Sequence, residues 1–382
     1  MNSRNVFGTV ICAILVLTTS SAAALGQNDP AADRLLTGNG EDSLPSLAEA
    51  MADPSQGAGW GDVGRSQSDS CPRWTASADF IFLDRIGGAN QTLVETVPGS
   101  VPYKKLRSTP GTAVRNSNDI QQGFYGGPRV DLTGHGDSDY DLELSYFQID
   151  GWSGNSTVGP VDRKADWLVM RAPGAFLQST EDPVRPQGMA WEYDSRLYNA
   201  EFNVRWRRSS EVTMLAGFRW VSLRENLLGA LEPPTIAGEP PFWNATTTNN
   251  LYGFQIGADW KFFDSGRFSM DGLIKAGFFD NNAEEATGVS IYKLVRPSSA
   301  STNHGAGVGE IGLQCKYQFT KDLMLRAGYE VMWLQGVALA PGQIQETNTT
   351  MSGRSPTVQA LGINCNSGVF YHGATAGLEY SF

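Results

Sequence analysis

The sequence predicts an all-β protein: a membrane-spanning, antiparallel, up-and-down β-barrel of about ten strands, with short turns at one end and long loops at the other. Three observations carry this. Apolar and polar residues alternate with a period of two in ten stretches between Arg73 and Phe382, and that period is strand geometry because successive side chains leave opposite faces. The connections between the stretches alternate long and short through the chain, an arrangement a membrane barrel requires and a soluble sandwich does not. Aromatic residues gather at both ends of the apolar faces, where rings partition to the two membrane–water boundaries.

Residues 1–26 read as a secretory signal peptide. Arg4 supplies the positive start, Val6 to Leu17 the apolar run, and Ala22 to Gly26 small residues for cleavage. Residues 27–72, rich in Gly, Ser, Asp, Pro and Ala, read as a flexible periplasmic segment with a brief helix at Leu44 to Met51. No later stretch approaches the roughly 18 unbroken apolar residues of a membrane helix, so a membrane span must be built from strands. The mean hydropathy of −0.27 agrees, since a barrel strand hides half its residues from lipid. Cys12 leaves with the signal, and Cys71, Cys315 and Cys365 remain. Their odd number allows at most one intramolecular disulfide, and their spacing fits no metal or redox pattern.

Residues 73–382 read as the barrel. The first strand turns Trp74, Ala76, Ala78, Phe80 and Phe82 one way and Thr75, Ser77 and Asp79 the other. The second covers about 121–133, and the third follows the tight turn Gly134 to Asp139. The fourth to seventh cover 198–206, 212–220, 252–262 and 268–278, with tight turns after the fourth and sixth. The eighth and ninth, 311–319 and 323–333, are joined by Thr320, Lys321 and Asp322. The tenth, Val369 to Phe382, alternates except at His372 and ends on aromatics. Long loops are expected at about 86–120, 151–190, 281–303 and 336–367, with a Pro-rich one through Pro233 and Pro241. The loop at Gly159 to Gln178, which holds Trp167 to Met170, leaves twelve strands open as an alternative.

Two aromatic girdles follow from these assignments. Trp74, Trp206, Trp260, Phe319 and Phe382 fall on the turn side, and Phe82, Tyr198, Trp220, Tyr252, Phe278, Trp333 and Phe370 on the loop side. The opposite face of the strands is polar. Arg129, Asp131, Glu143, Glu201, Arg205, Arg219, Asp259, Lys261, Asp271, Lys275, Glu310, Lys316, Arg326, Glu330 and Glu379 are expected to line the lumen, with Asp79 and Asp141. Open diffusion pores use about 16 to 18 strands. In a barrel of ten, charges of both signs would pair across the lumen and hold its shape rather than conduct.

Little in the chain points to catalysis, and it is read as a non-enzyme without metal or cofactor. His304 follows Asn303 and His372 follows Tyr371, so no Asp–His couple is visible along the sequence. Asp137, Asp139 and Asp141 look like the start of a calcium loop, but Leu142 stands where its sharp turn would be needed, which leaves a hairpin turn. Gly305-Ala-Gly-Val-Gly309 precedes no helix and suits a strand crowding the inner wall rather than a phosphate site. A net charge of −11 without a basic patch excludes nucleic acid. Trp152, Trp167, Trp191 and Trp243, in the long loops, suit a carbohydrate or another surface ligand.

The closing stretch resembles the last strand of a bacterial outer-membrane barrel, whose terminal Phe and the aromatic two residues before it are read by the insertion machinery. Trp74-Thr-Ala-Ser-Ala-Asp-Phe80, Gly253-Phe-Gln-Ile-Gly-Ala-Asp-Trp260 and Ala376-Gly-Leu-Glu-Tyr-Ser-Phe382 together resemble the beta-barrel porin family seven, found chiefly in planctomycete bacteria. The resemblance covers about Arg73 to Phe382. It implies the outer membrane of a Gram-negative-type bacterium, with the lipid bilayer and the insertion machinery as partners. It also implies a porin-like protein, either a narrow channel or a closed barrel with surface-displayed loops. A loop-rim enzyme or adhesin is the alternative, and a soluble exported β-protein the third reading.

Overall fold

The computed structural model describes residues 73–102, 105–106, 108–159, 166–170, 188–232, 242–291, 294–352 and 355–382. The signal peptide, the periplasmic segment, Cys71 and the Pro-rich loop at 233–241 lie outside the described residues.

The strands are β1 (Trp74–Ile86), β2 (Thr92–Pro98), β3 (Thr112–Asn116), β4 (Phe124–His135), β5 (Tyr140–Val158), β6 (Asp166–Met170), β7 (Gly188–Arg207) and β8 (Val212–Glu232). They continue with β9 (Phe242–Asp264), β10 (Phe268–Ile291), β11 (Leu294–Gln318), β12 (Leu323–Val337), β13 (Thr347–Ser352), β14 (Ser355–Ala360) and β15 (Ser367–Ser381). Ten of them, β1, β4, β5, β7 to β12 and β15, form one closed antiparallel barrel. Closure runs through β15 and β1, which pair from Thr75↔Ser381 to Ile86↔Phe370. At the turn-side end of that pairing the carbonyl of Phe382 accepts from the backbone N–H of Arg73 and of Trp74, each at 3.0 Å. A barrel closed in this way leaves no strand edge unpaired.

The twelve-strand alternative is resolved against. Trp167 to Met170 do form a strand, β6, but it pairs with β2, and β2 with β3, in a separate three-stranded sheet among the loops.

Several strands run much farther than the sequence suggested. Residues 281–303, read as a loop, continue β10 and β11 as a hairpin in register from Phe268↔Tyr317 to Ile291↔Leu294. The cause is an inversion of the amphipathic pattern. In the turn-side half, outward residues are apolar and open, with Phe254 and Phe278 77% and 76% exposed. Beyond Phe278 the outward positions of β10 become Asp280, Asn282 and Glu284, whereas the inward Phe279, Ala283 and Val289 are buried. Lipid surrounds the first half and water the second, so one strand must exchange its apolar face on leaving the membrane. A reading that follows outward apolar residues therefore stops where lipid stops.

Gly305, Gly307 and Gly309 also correct an expectation, because they share the outward phase of the exposed Ile311 and Leu313, not the inner wall. A Cβ on Gly309 would come within 1.9 Å of the Trp333 indole. That glycine makes room for a ring of the loop-side girdle.

Candidate functional site in the barrel lumen

The lumen is layered. In its turn-side half the strands give their apolar face to lipid, so the polar face turns inward around a cavity of about 280 Å³. The cavity runs from Thr75, His135 and Arg207 near the turn-side rim to Lys275 and Glu330 deeper in. Its charges are tied across strands. Arg129 reaches Glu330 at 2.8 Å and Asp131 at 3.4 Å. Arg326 touches Asp131 and Glu379 at 3.5 Å and Asp79 at 3.6 Å. Lys316 bridges Asp271 at 3.2 Å and Glu379 at 3.6 Å, and Arg205 lies between Glu143 and Asp259. Asp131 further accepts from the hydroxyls of Ser145 at 2.6 Å and Ser77 at 2.8 Å.

At the deep end of the cavity is a buried cluster of two acids and two bases. Lys275 meets Glu201 at 2.9 Å and Glu310 at 3.6 Å, and Arg219 meets Glu310 at 2.9 Å and Glu201 at 3.5 Å. All four side chains are at most 4% exposed. Burying an ion costs several kcal/mol unless its partner and its remaining hydrogen bonds are supplied. Here Gln255 and Asn203 donate to Glu201 at 2.8 and 3.1 Å, and Arg219 donates to Asn199 at 2.6 Å.

Next comes an apolar layer to which nine of the ten barrel strands contribute, among them Ile81, Phe147, Leu251, Phe279, Met332 and Tyr371, all buried. Arg219 joins the two layers, its guanidinium 3.2 Å from the Met332 sulfur. The chain after β12 then enters the barrel. Gly336 has φ +82, and a Cβ there would lie 2.5 Å from the Gly305 carbonyl, so the inward turn requires glycine. Val337 and Leu339 fill the apolar layer and Ala340–Gln345 form a 3-10 turn.

Buried backbone needs hydrogen-bond partners, and inward polar residues of the wall provide them. Asn249 and Asn281 bond the backbone of Ala338 and Gly336. Glu225 accepts from Ala340 N at 3.0 Å and from the Tyr193 hydroxyl at 2.7 Å, and pairs with Arg85. Sequence reasoning missed Arg85, Glu225, Asn249 and Asn281. The available signal was polar residues in the inward phase among inward Leu, Val and Phe.

Other expected residues fall elsewhere. Lys261 stands at the turn-side end of β9, paired with Asp264 at 3.2 Å and 40% exposed, outside the cavity lining. The register shift between Met270 and Asp271 leaves an extra residue on β9, and Phe262 and Phe263 are both exposed. Trp152, Trp191 and Trp243 are buried in cores rather than presented at the surface, and Trp167 donates to the Val101 carbonyl. Two Asp–His contacts invisible along the sequence appear across strands. His135 is 3.4 Å from Asp141 at the turn-side rim. His372, hydrogen-bonded to the Tyr329 hydroxyl at 2.6 Å, is 4.0 Å from Asp84 on the outer wall. Asp141 also pairs with Arg207 at 2.9 Å. Cys315 and Cys365 are free thiols.

A family model described as "Putative beta barrel porin-7" matches residues 188–382, from the start of β7 to the C-terminus. No curated protein matches the chain. Among solved structures the chain is similar to the outer membrane protease OmpT from Escherichia coli, at 7% sequence identity and TM-score 0.45, covering 83% of this chain and 100% of that one. It is similar to the toluene transporter TodX of P. putida, at 11% identity and TM-score 0.33, covering 81% and 91%. It is also similar to the translocator domain of autotransporter NalP from Neisseria meningitidis, at 11% identity and TM-score 0.34, covering 83% and 90%.

Proposed function

The chain belongs to the beta barrel porin-7 family and lies in the outer membrane of a Gram-negative-type bacterium, and from that premise we propose that it acts as a barrel closed at rest, displaying folded loops outside the cell. The observation that carries this reading is the apolar layer with Val337 and Leu339 packed into it, both 0% exposed. An ion crossing there would lose its water against Leu251, Phe279 and Tyr371 side chains, and hydrophobic constrictions of this kind close pores by excluding water. Conduction as a narrow channel would require the segment from Gly336 to Gln345 to leave the lumen.

The lumen charges are assigned a structural role and the protein no enzymatic one. The two Asp–His contacts support this, since one faces the lumen at the turn side and the other lies on the outer wall. The partners that fit are the lipid bilayer, the insertion machinery and a surface ligand at the loops. Tyr380 and Phe382, stacked at 5.8 Å on the closing strand, are the feature offered to that machinery.

Planar-bilayer recording of the refolded protein tests the proposal. Wild type, Arg219→Ala and Glu330→Ala should all be silent, and current should appear only when Val337 to Gln345 is replaced by a Gly-Ser linker of equal length. Steady steps from wild type that the two charge variants enlarge would replace the closed barrel with a restricted pore.

A further inference from the structure

On the outer wall of β7 and β8 two arginines stand directly opposite each other. Arg196 is the register partner of Arg224, and facing residues of an antiparallel pair have Cβ atoms about 4.5–5.5 Å apart. Both are exposed, while the adjacent Leu197 and Leu223 are buried inward. Like charges so placed destabilise a sheet. No ion pair or hydrogen bond to either guanidinium occurs among the described residues. The acid in register with Arg196, Asp150, accepts a hydrogen bond from the Tyr198 hydroxyl.

The height of the pair on the wall is informative. Tyr198 and Trp220 are the loop-side girdle rings of these two strands, and the arginines lie one and two outward positions beyond them, where headgroups begin. Other charged outward residues near this level, Asp84, Asp150, Asp194, Asp280 and Glu284, are acids in a chain of net charge −11. Arg196 and Arg224 therefore stand together at this level against their own repulsion. Beneath them the Ser222 hydroxyl and the Trp220 indole N–H are buried and make no hydrogen bond among the described residues. Ser222 is in register with Tyr198 on one side and Asn250 on the other, one outward step below Arg224.

Two exposed guanidiniums that make no ion pair among the described residues therefore share one spot at the height where headgroups begin. We propose that this patch binds the phosphate of an anionic lipid headgroup in the outer leaflet. Guanidinium forks match phosphate oxygens bidentately, and a bound phosphate would turn the Arg196–Arg224 repulsion into two attractions. A lipid is favoured over a soluble anion because the patch adjoins Tyr198 and Trp220, girdle rings at the boundary of the hydrocarbon layer. This assignment needs only the membrane location and is independent of whether the lumen is closed.

Native mass spectrometry of the full chain tests it, counting phosphatidylglycerol and phosphatidylcholine retained after extraction from mixed vesicles. Wild type should prefer phosphatidylglycerol by about tenfold, since each basic residue at a charged membrane surface contributes appreciably. The Arg196→Gln, Arg224→Gln double variant should lose the preference, and the double Lys variant should keep most of it. Excess inorganic phosphate should not displace the lipid. Equal retention by wild type and the Gln variant, with both migrating as folded barrels on unheated gels, would overturn the site. Displacement by phosphate, with equal protection against heat by phosphate alone, would assign it to a soluble anion and defeat the lipid reading.

Discussion

Asn249 holds Ala338 as a neighbouring strand would: its side-chain Oδ1 accepts from Ala338 N at 2.7 Å, and its Nδ2 donates to Ala338 O at 2.8 Å. A loop inserted into a barrel has no ladder to join, so a wall side chain with the peptide's own donor and acceptor substitutes for one. The loop stays in the lumen because its polar backbone is satisfied there.

Asn249→Leu keeps the volume and removes both bonds, leaving a buried N–H and C=O without partners. The cost should be about 2–4 kcal/mol, read as a lower urea midpoint for loss of the heat-modifiable form. Flickering current in planar bilayers should accompany it as the loop loosens. An unchanged midpoint would mean that other groups hold the loop.

Glu225 gathers Arg85, Tyr193 and Ala340 with its side chain 0% exposed, and Arg85 is only 5% exposed. Glu225→Gln should cost about 3–5 kcal/mol, because it strands a buried guanidinium. Arg85→Met combined with Glu225→Met should cost less than Glu225→Gln alone, an inequality that a double-mutant cycle of unfolding midpoints checks.

Lys275 and Lys316 are both lumen lysines with two carboxylate partners, but Lys275 is 4% exposed and Lys316 24%. Lys275→Met should destabilise by about 3–5 kcal/mol, since Glu201 and Glu310 lose a buried countercharge. Lys316→Met should cost at most about 1 kcal/mol, as water screens its partners. Equal losses in the same unfolding assay would contradict the layered lumen.

Asp264 ends β9 at the exposed turn into β10. The Gly266 N–H at 2.9 Å and then the Lys261 ammonium at 3.2 Å hold its carboxyl below the usual aspartate range. A folded-state pKa depressed in this way contributes stability above the unfolded pKa and loses it as pH falls through the folded value. Carboxyl-detected NMR of the labelled barrel should place the Asp264 midpoint below that of a peptide aspartate, and Lys261→Ala should raise it.

What was legible in the chain was what lipid dictates. Trp74 to Phe82, Val204 to Trp220 and Phe254 to Phe278 alternate visibly because an outward polar residue would face hydrocarbon, and the inward charges stood out against that rule. Beyond the girdle the rule reverses, so 281–303 passed for loop, and Trp152, Trp191 and Trp243 passed for surface rings although all three are core. Lys261 keeps the inward phase of Asp259 and is in register with Asp271, but it sits at the open turn-side end of β9, where its side chain reaches water and Asp264 rather than the cavity.

The sequence by itself determined a membrane barrel of about ten strands, with short turns at one end and long loops at the other, because two-residue periodicity is a local property that the solvent on each face enforces. Only the tertiary structure decided that the lumen is layered, that the chain after β12 folds into it, and that Arg196 and Arg224 face one another. Those depend on register between strands and on where a loop finds partners for its buried backbone, and both are set by residues far apart in the chain.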